Sequence, residues 1–239
     1  MTVNSTAHEA PLFVVSPHLD DGVFGCGTWL AAQPGSTVCT VCAAIPPVAI
    51  RTEWDRGAGF RDSTEAMRTR LHEDHDALVF LHATALHLPF FDHQYGQPAT
   101  PREIAQAIAD ELRQRGAHRL AMPLGLAHPD HTLASDACLL VLQALKLERC
   151  IVYEEALYRA LPGTVDARIA ELTARHPEFE LTRFEPPHAA MNEAAQAQHR
   201  HRKHAAIQAY RSQLPALTHL PVRDLDAPER FWMLTRRDG

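Results

Sequence analysis

Up to Tyr158, short apolar runs alternate with stretches of helical spacing, and that alternation limits the folds open to this chain more than any other feature. Leu12-Phe13-Val14-Val15 reads as a buried strand ended by Ser16-Pro17, with a helix expected over about 23–32. Further strands are expected over 37–44, 85–89, 118–123 and 149–154, with helices over 62–81, 101–115 and 132–147. Pro101 suits a first helical turn, and Gly116 stops that helix. Strands and helices alternating at this length imply parallel βαβ units. The expected class is α/β, a Rossmann-like and mostly parallel sheet with helices on both faces. After Tyr158 the spacing predicts helices over 165–175 and 191–210 and short strands over 179–184 and 231–235. Residues 1–239 read as one domain, with a core of about 10–158 and a C-terminal elaboration of about 159–239 that caps or extends the sheet.

A chain of 239 residues with 46% hydrophobic content can bury a sizeable core. Its net charge of -6 argues against a nucleic-acid partner, which calls for phosphate-neutralising basic surface. The start, MTVNSTAHEA, has neither the basic nor the apolar region of a secretory signal, and no apolar run reaches membrane-spanning length. The five cysteines, Cys26, Cys39, Cys42, Cys138 and Cys150, are odd in number and scattered. That suits free thiols in a reducing compartment, so a cytoplasmic location is expected. The 16 histidines make metal chemistry worth testing.

The chemistry-bearing residues fall where strands turn into helices. Ser16-Pro17-His18-Leu19-Asp20-Asp21 follows the first strand; His128-Pro129-Asp130-His131 comes soon after the strand ending at Pro123 and opens the next helix. Open α/β sheets bind ligands beyond the carboxyl ends of their strands, so both segments are expected at one sheet edge. A histidine and a carboxylate three residues apart can reach one cation from such a turn, while an adjacent carboxylate accepts a proton from bound water. One histidine from the second turn makes three protein ligands and leaves a position for water, as catalytic zinc sites do. Each segment alone has a plainer explanation: Asp20 or Asp21 as a helix N-cap, and His128 or His131 as a surface histidine at a helix start. Their joint occurrence favours a site.

PHLDD and HPDH, in that order, resemble the signatures of the PIG-L/LmbE-like de-N-acetylases. Weaker matches follow at Arg70-x-x-Glu73-Asp74, Asp92 to Tyr95, Tyr153-Glu154-Glu155 and Lys203 to Gln213. Members of that family hydrolyse N-acetylglucosamine-containing substrates and related amides. The resemblance implies an LmbE-like fold and one zinc ion per chain, held by His18, Asp21 and His131. It implies Asp20 as general base, His128 as the charged or proton-donating group at the tetrahedral intermediate, and Asp130 as a partner behind the ligands. Zinc lowers the pKa of bound water to about 7. Asp20 would take the proton as water attacks the amide carbonyl, and His128 would stabilise the oxyanion and protonate the departing amine.

The commoner first motif reads His-Pro-Asp-Asp-Glu, whereas Leu19 and Gly22 stand here; neither change removes an implied ligand. Some members place a carbonyl-polarising tyrosine two residues before the second motif. Leu126 stands there, so another group does that work or the substrate differs. The expected function is zinc-dependent removal of an N-acyl group, acetyl by preference, from an amino sugar or similar polar amine. Its partner would be a small N-acylated amino sugar or glycoconjugate. Two alternatives stay open: a zinc amidase for a non-acetyl amide such as a thiol conjugate, and a catalytically silent relative that binds sugar or metal. Other divalent metals and a homo-oligomeric assembly also stay open.

Arg70, Asp92 and Tyr95 are candidates for holding substrate hydroxyls, with a salt-bridged helix and a loop turn as an equally good alternative. Gly22-Val-Phe-Gly25-Cys-Gly27 has the wrong glycine order for a dinucleotide site. Cys39-x-x-Cys42 lies within a strand and is read as buried packing. HRHRKH, with His199, His201 and His204, is read as a solvated helix face. Trp54 and Asp55, in an aperiodic stretch over 48–60, are candidates for a covering loop.

Overall fold

A computed structural model describes residues 10–96, 99–116 and 119–237. Strands β1 (Leu12–Ser16), β2 (Thr37–Thr40), β3 (Thr84–His87), β4 (Arg119–Pro123) and β5 (Arg149–Tyr153) pair in parallel. Two later strands, β6 (Phe179–Phe184) and β7 (Phe231–Arg236), pair antiparallel, β7 lying beside β5. The sheet order is β3-β2-β1-β4-β5-β7-β6. This is the expected Rossmann-like α/β arrangement. The C-terminal stretch does both things the sequence left open, since β6 and β7 extend the sheet and a helix from the same stretch covers it. The strand expected over 118–123 starts at Arg119, and His118 lies outside the described residues.

A strand points successive side chains to opposite faces, and a strand buried on both faces reads as a continuous apolar run. Leu12 and Val14 of β1 enter one core with residues of helices α1 (Asp21–Ala32), α3 (Ser63–Phe80) and α7 (Glu193–Ile207). Phe13 and Val15 enter the other, with α4 (Pro101–Arg115), α5 (Pro129–Leu145) and α6 (Thr164–Arg175). Thr100 and Glu103 form a capping box around Pro101, and Asp62 accepts from the backbone N–H groups of Thr64 and Glu65. The strand expected to run to Ala44 stops at Thr40. Beyond it the N–H groups of Val41 and Cys42 donate to the carbonyls of Ser16 and Pro17, which ties this segment to the first motif.

Sheet order reverses between β1 and β4, and the crevice at such a switch point is where this architecture binds ligands. The glycines of α1 have a packing reason. A Cβ at Gly25 would stand 2.6 Å from the Tyr153 ring, whose hydroxyl donates to the Val15 carbonyl. All five cysteines are buried and free, so Cys39 and Cys42 belong to the core as expected. HRHRKH differs from expectation at one residue: Lys203 is buried and pairs with Glu229 at 2.9 Å, while His201 and His204 stay exposed.

Candidate active site

The turn after β1 directs three side chains into the crevice. Asp20 sits at the N-cap position of α1, yet its carboxylate makes no capping hydrogen bond, so the plain helix-cap explanation fails for it. Asp21 Oδ2 accepts from the His18 backbone N–H at 3.0 Å and lies 3.1 Å from His18 Nδ1. On the other side of the imidazole, His18 Nε2 donates to Asp130 Oδ2 at 3.0 Å, so Nδ1 is the ring nitrogen turned to Asp21. Leu19, where the commoner form of the first motif has proline, is buried against Ala43, Met67 and Tyr95. Gly22, at the glutamate position, lies so close to Val38 and Ser16 that a Cβ would stand 3.0 Å from Val38 Cγ1.

The β4–α5 loop brings the second motif to the same place. Gly125 takes φ 93°, and a Cβ there would stand 2.9 Å from Ser135, so both conformation and space call for glycine. Buried Glu155, just after β5, accepts from the backbone N–H groups of Leu124, Gly125 and Leu126. The same carboxylate stands 3.4 Å from His131 Nδ1, while His131 Nε2 is 3.1 Å from Asp21 Oδ2. His128 does cap α5, its Nδ1 accepting from the Asp130 N–H at 3.2 Å; its ring also lines the cleft. Glu155 was only a weak match in sequence. Its detectable signal was an acidic pair directly after a strand on the functional edge.

His18 and His131 thus converge on one oxygen of Asp21, the set implied by the motifs. The residues fit a divalent cation. Both ring nitrogens of His131 are buried and lack hydrogen-bond partners despite the nearby carboxylates, as does Asp130 Oδ1. Asp20, Asp92 and Asp21 place buried negative charge near Arg70, a permanent cation, while buried Asp130 and Glu155 face His18 and His131. Among the described residues, the groupings that place one ligand atom each within 4.8 Å of one another are His18 with His128 and His131, and His18 with Cys42 and Asp130. Burial pushes the Cys42 thiol up, and Asp130, Asp92 and Asp21 add to the effect, so the thiol keeps its proton.

Burial and the charge of Asp21 push Asp20 up to about 6, against the pull of Arg70, His18 and His131. Asp21 meets the same burial penalty, but His131 and His18 outweigh it and hold the carboxyl well below its usual range. Burial also opposes charge on His18; Asp130 and Asp21 override it and raise the ring well above 6.5. For His131 the balance is similar, and Asp21 and Glu155 raise it to about 9. His128 goes the other way, lowered to about 4 by burial and by its two histidine neighbours. It is therefore neutral at pH 7. With Nδ1 accepting from the Asp130 N–H, the neutral ring carries its proton on Nε2.

The cleft above these groups measures about 400 Å³ and is lined by His18, Asp20, Asp21, His128, Arg70 and Asp92, with Trp54, Tyr158, Leu217 and Leu220 on its walls. Arg70 Nη1 donates to Asp92 Oδ2 at 3.5 Å. Tyr95 does not line it: its hydroxyl donates to buried Asp55 at 2.7 Å. Trp54 belongs to a short helix, α2 (Glu53–Gly57), closed by a Thr52–Asp55 capping box, and its Nε1 donates to Gln213 at 3.3 Å. That stretch is a cleft wall held from both sides.

No family model matches the chain, and no curated protein matches it. Solved structures do. The zinc-inhibited form of teicoplanin deacetylase is 20% identical, with 96% of this chain and 99% of that one covered and a TM-score of 0.74. A pseudoaglycone deacetylase for an antimicrobial reagent is 22% identical over 97% and 99%, with a TM-score of 0.72. The 4-carboxy-2-hydroxymuconate hydratase of Pseudomonas putida is 16% identical over 97% and 98%, with a TM-score of 0.53. The chain has the LmbE-like fold of these deacetylases along nearly its whole length.

Proposed function

We propose that this chain is a metal-dependent hydrolase that removes an N-acyl group, acetyl in the simplest case, from an amino sugar or related polar amine. The observation carrying this reading is the convergence of His18 Nδ1 and His131 Nε2 on Asp21 Oδ2, 3.1 Å from each, beside an Asp20 carboxylate that caps nothing. Deacetylases among the solved structures of this fold, one in a zinc-inhibited form, support it.

His18, Asp21 and His131 would hold zinc, which when bound makes hydroxide available near neutral pH and polarises an acyl oxygen. Asp20, with a pKa of about 6, is matched to taking a proton at neutral pH, and its lack of a capping bond leaves the carboxylate available. His128 would donate through Nε2 to the oxygen that gains charge, and the proton for the departing amine returns from Asp20 or through His128. Asp130 orients His18, and Glu155 orients His131. Arg70 and Asp92, facing the same cleft, would take hydroxyls of a sugar-like substrate. Among the described residues no helix is long and apolar enough to cross a membrane. Buried free thiols fit a cytoplasmic setting.

The test is amine release by zinc-loaded protein from N-acetylglucosamine, its glycosides and a series of N-acyl variants, with Asp20→Asn as control. The reading expects hydrolysis of at least one N-acylated amino sugar by the wild type alone. Amides of thiol conjugates hydrolysed in their place would move the substrate class. No release from any amide by protein that holds zinc would leave a binding protein.

A further inference from the structure

We propose that Tyr158 is a catalytic residue whose hydroxyl donates a hydrogen bond to the carbonyl oxygen of the amide under attack. The proposal rests on the hydrolase reading above and adds a second residue from beyond β5 to the site.

The chain has four tyrosines, and the structure commits the hydroxyls of three. Tyr95 donates to Asp55, Tyr153 to the Val15 carbonyl and Tyr210 to Asp74. Tyr158 differs: among the described residues its hydroxyl has no hydrogen-bond partner, and its side chain lines the cleft with Asp20 and His128. Its ring stands edge-on to His131, centroids 4.9 Å apart at 77°, directly beside an implied ligand.

The backbone is held in an uncommon conformation to place it there. Leu157, the residue before, takes φ 72°, a region that residues bearing a Cβ rarely adopt. Asp224 maintains it, its Oδ2 accepting from the Leu157 N–H at 2.9 Å and from Arg159 Nε at 2.8 Å. Arg159 is buried and Asp224 partly so. Thr164 Oγ1 donates to the Tyr158 carbonyl at 2.9 Å. Strain held by surrounding structure collects at functional sites, and here it fixes a residue with a spare donor beside His131 on the cleft wall.

In the step proposed, the water oxygen bonds to the carbonyl carbon, its proton passes to Asp20, and the carbonyl π pair moves onto oxygen. The Tyr158 O–H donates to that oxygen and keeps its proton. When the C–N bond breaks, the nitrogen leaves with the proton that Asp20 took up, delivered directly or through His128, and the carbonyl re-forms. A donor aimed at developing charge strengthens as the charge grows, so its effect belongs to the rate constant more than to substrate binding.

The experiment compares zinc-loaded wild type with Tyr158→Phe in two assays. One is calorimetric binding of methylphosphonate, a tetrahedral anion standing in for an attacked acetyl group; the other is hydrolysis of the best N-acyl substrate. Zinc content and melting temperature should match in the two proteins. Expected is about 10-fold weaker methylphosphonate binding by Tyr158→Phe, the loss of one hydrogen bond to a charged group. The accompanying fall in kcat should be roughly 10²-fold or more, with KM little changed. Equal methylphosphonate affinity, or a change in KM alone, overturns the proposal while leaving the hydrolase reading intact. Wild type that holds zinc but hydrolyses no amide overturns the hydrolase reading, and this assignment falls with it.

Discussion

Asp20 and Asp21 are adjacent carboxylates with opposite protonation behaviour. Burial disfavours both charges, but Asp21 faces His131 and His18 and stays ionised, whereas Asp20 also feels Asp21 and rises to about 6. Two neighbouring groups with pKa values pushed apart are how a site separates a ligand from a base. Asp20→Asn should therefore cut amine release by roughly 10²–10⁴-fold, the usual contribution of a general base, while zinc stays bound. Steady-state kinetics with metal analysis checks both halves, and loss of zinc would contradict the division of roles. The pH dependence has a definite sign. The base works deprotonated, so kcat/KM should fall tenfold per pH unit below an acid limb at or under about 6, bound cation favouring the carboxylate further. A limb above pH 7, or activity that rises on acidification, would exclude Asp20 as the base.

At the scale of the element, the β4–α5 loop is the least replaceable part. Gly125 and Ala127 take φ 93° and 53°, and Glu155 gathers three consecutive N–H groups while facing His131. Glu155→Gln keeps the shape but replaces a charged acceptor with an amide that brings a donor toward N–H groups. It should weaken zinc affinity about 10–100-fold and cost roughly 1–3 kcal/mol of stability. A zinc competition titration and a denaturant melt test this; unchanged affinity would remove Glu155 from the site's support. Strands and helices were legible in sequence because their periods are local, and PHLDD and HPDH were legible because they abut strand ends. Glu155 was legible only as part of an acidic pair after a strand and Tyr158 not at all, since their partners lie far along the chain: Glu155 meets Leu124 from 31 residues away, and Asp224 reaches Leu157 from 67. Tyr95 was expected at the substrate, but Asp55, 40 residues earlier, takes its hydroxyl. The helix α2 is five residues long, too short to show a period, and its signal was the Thr52–Asp55 box alone.

For the whole molecule, the sheet's switch point decides where function sits. β1 and β4 are neighbours in space although about a hundred residues separate them, and that adjacency joins His18 to His131. The C-terminal stretch supplies the outer cleft wall through Gln213, Leu217 and Leu220, and Asp224 behind Tyr158. The fold itself is shared with deacetylases and with a hydratase, so chemistry has to be assigned from the site. The most direct test is the zinc content of purified, zinc-reconstituted wild type, His18→Ala and Asp20→Asn protein, measured alongside amine release. Expected is near one zinc per chain in the wild type, a sharp loss in His18→Ala, and retention in Asp20→Asn with amine release cut by roughly 10²-fold or more. Wild type that holds no zinc after reconstitution, or His18→Ala that holds as much as wild type, would contradict the metal centre on which the proposed hydrolysis depends.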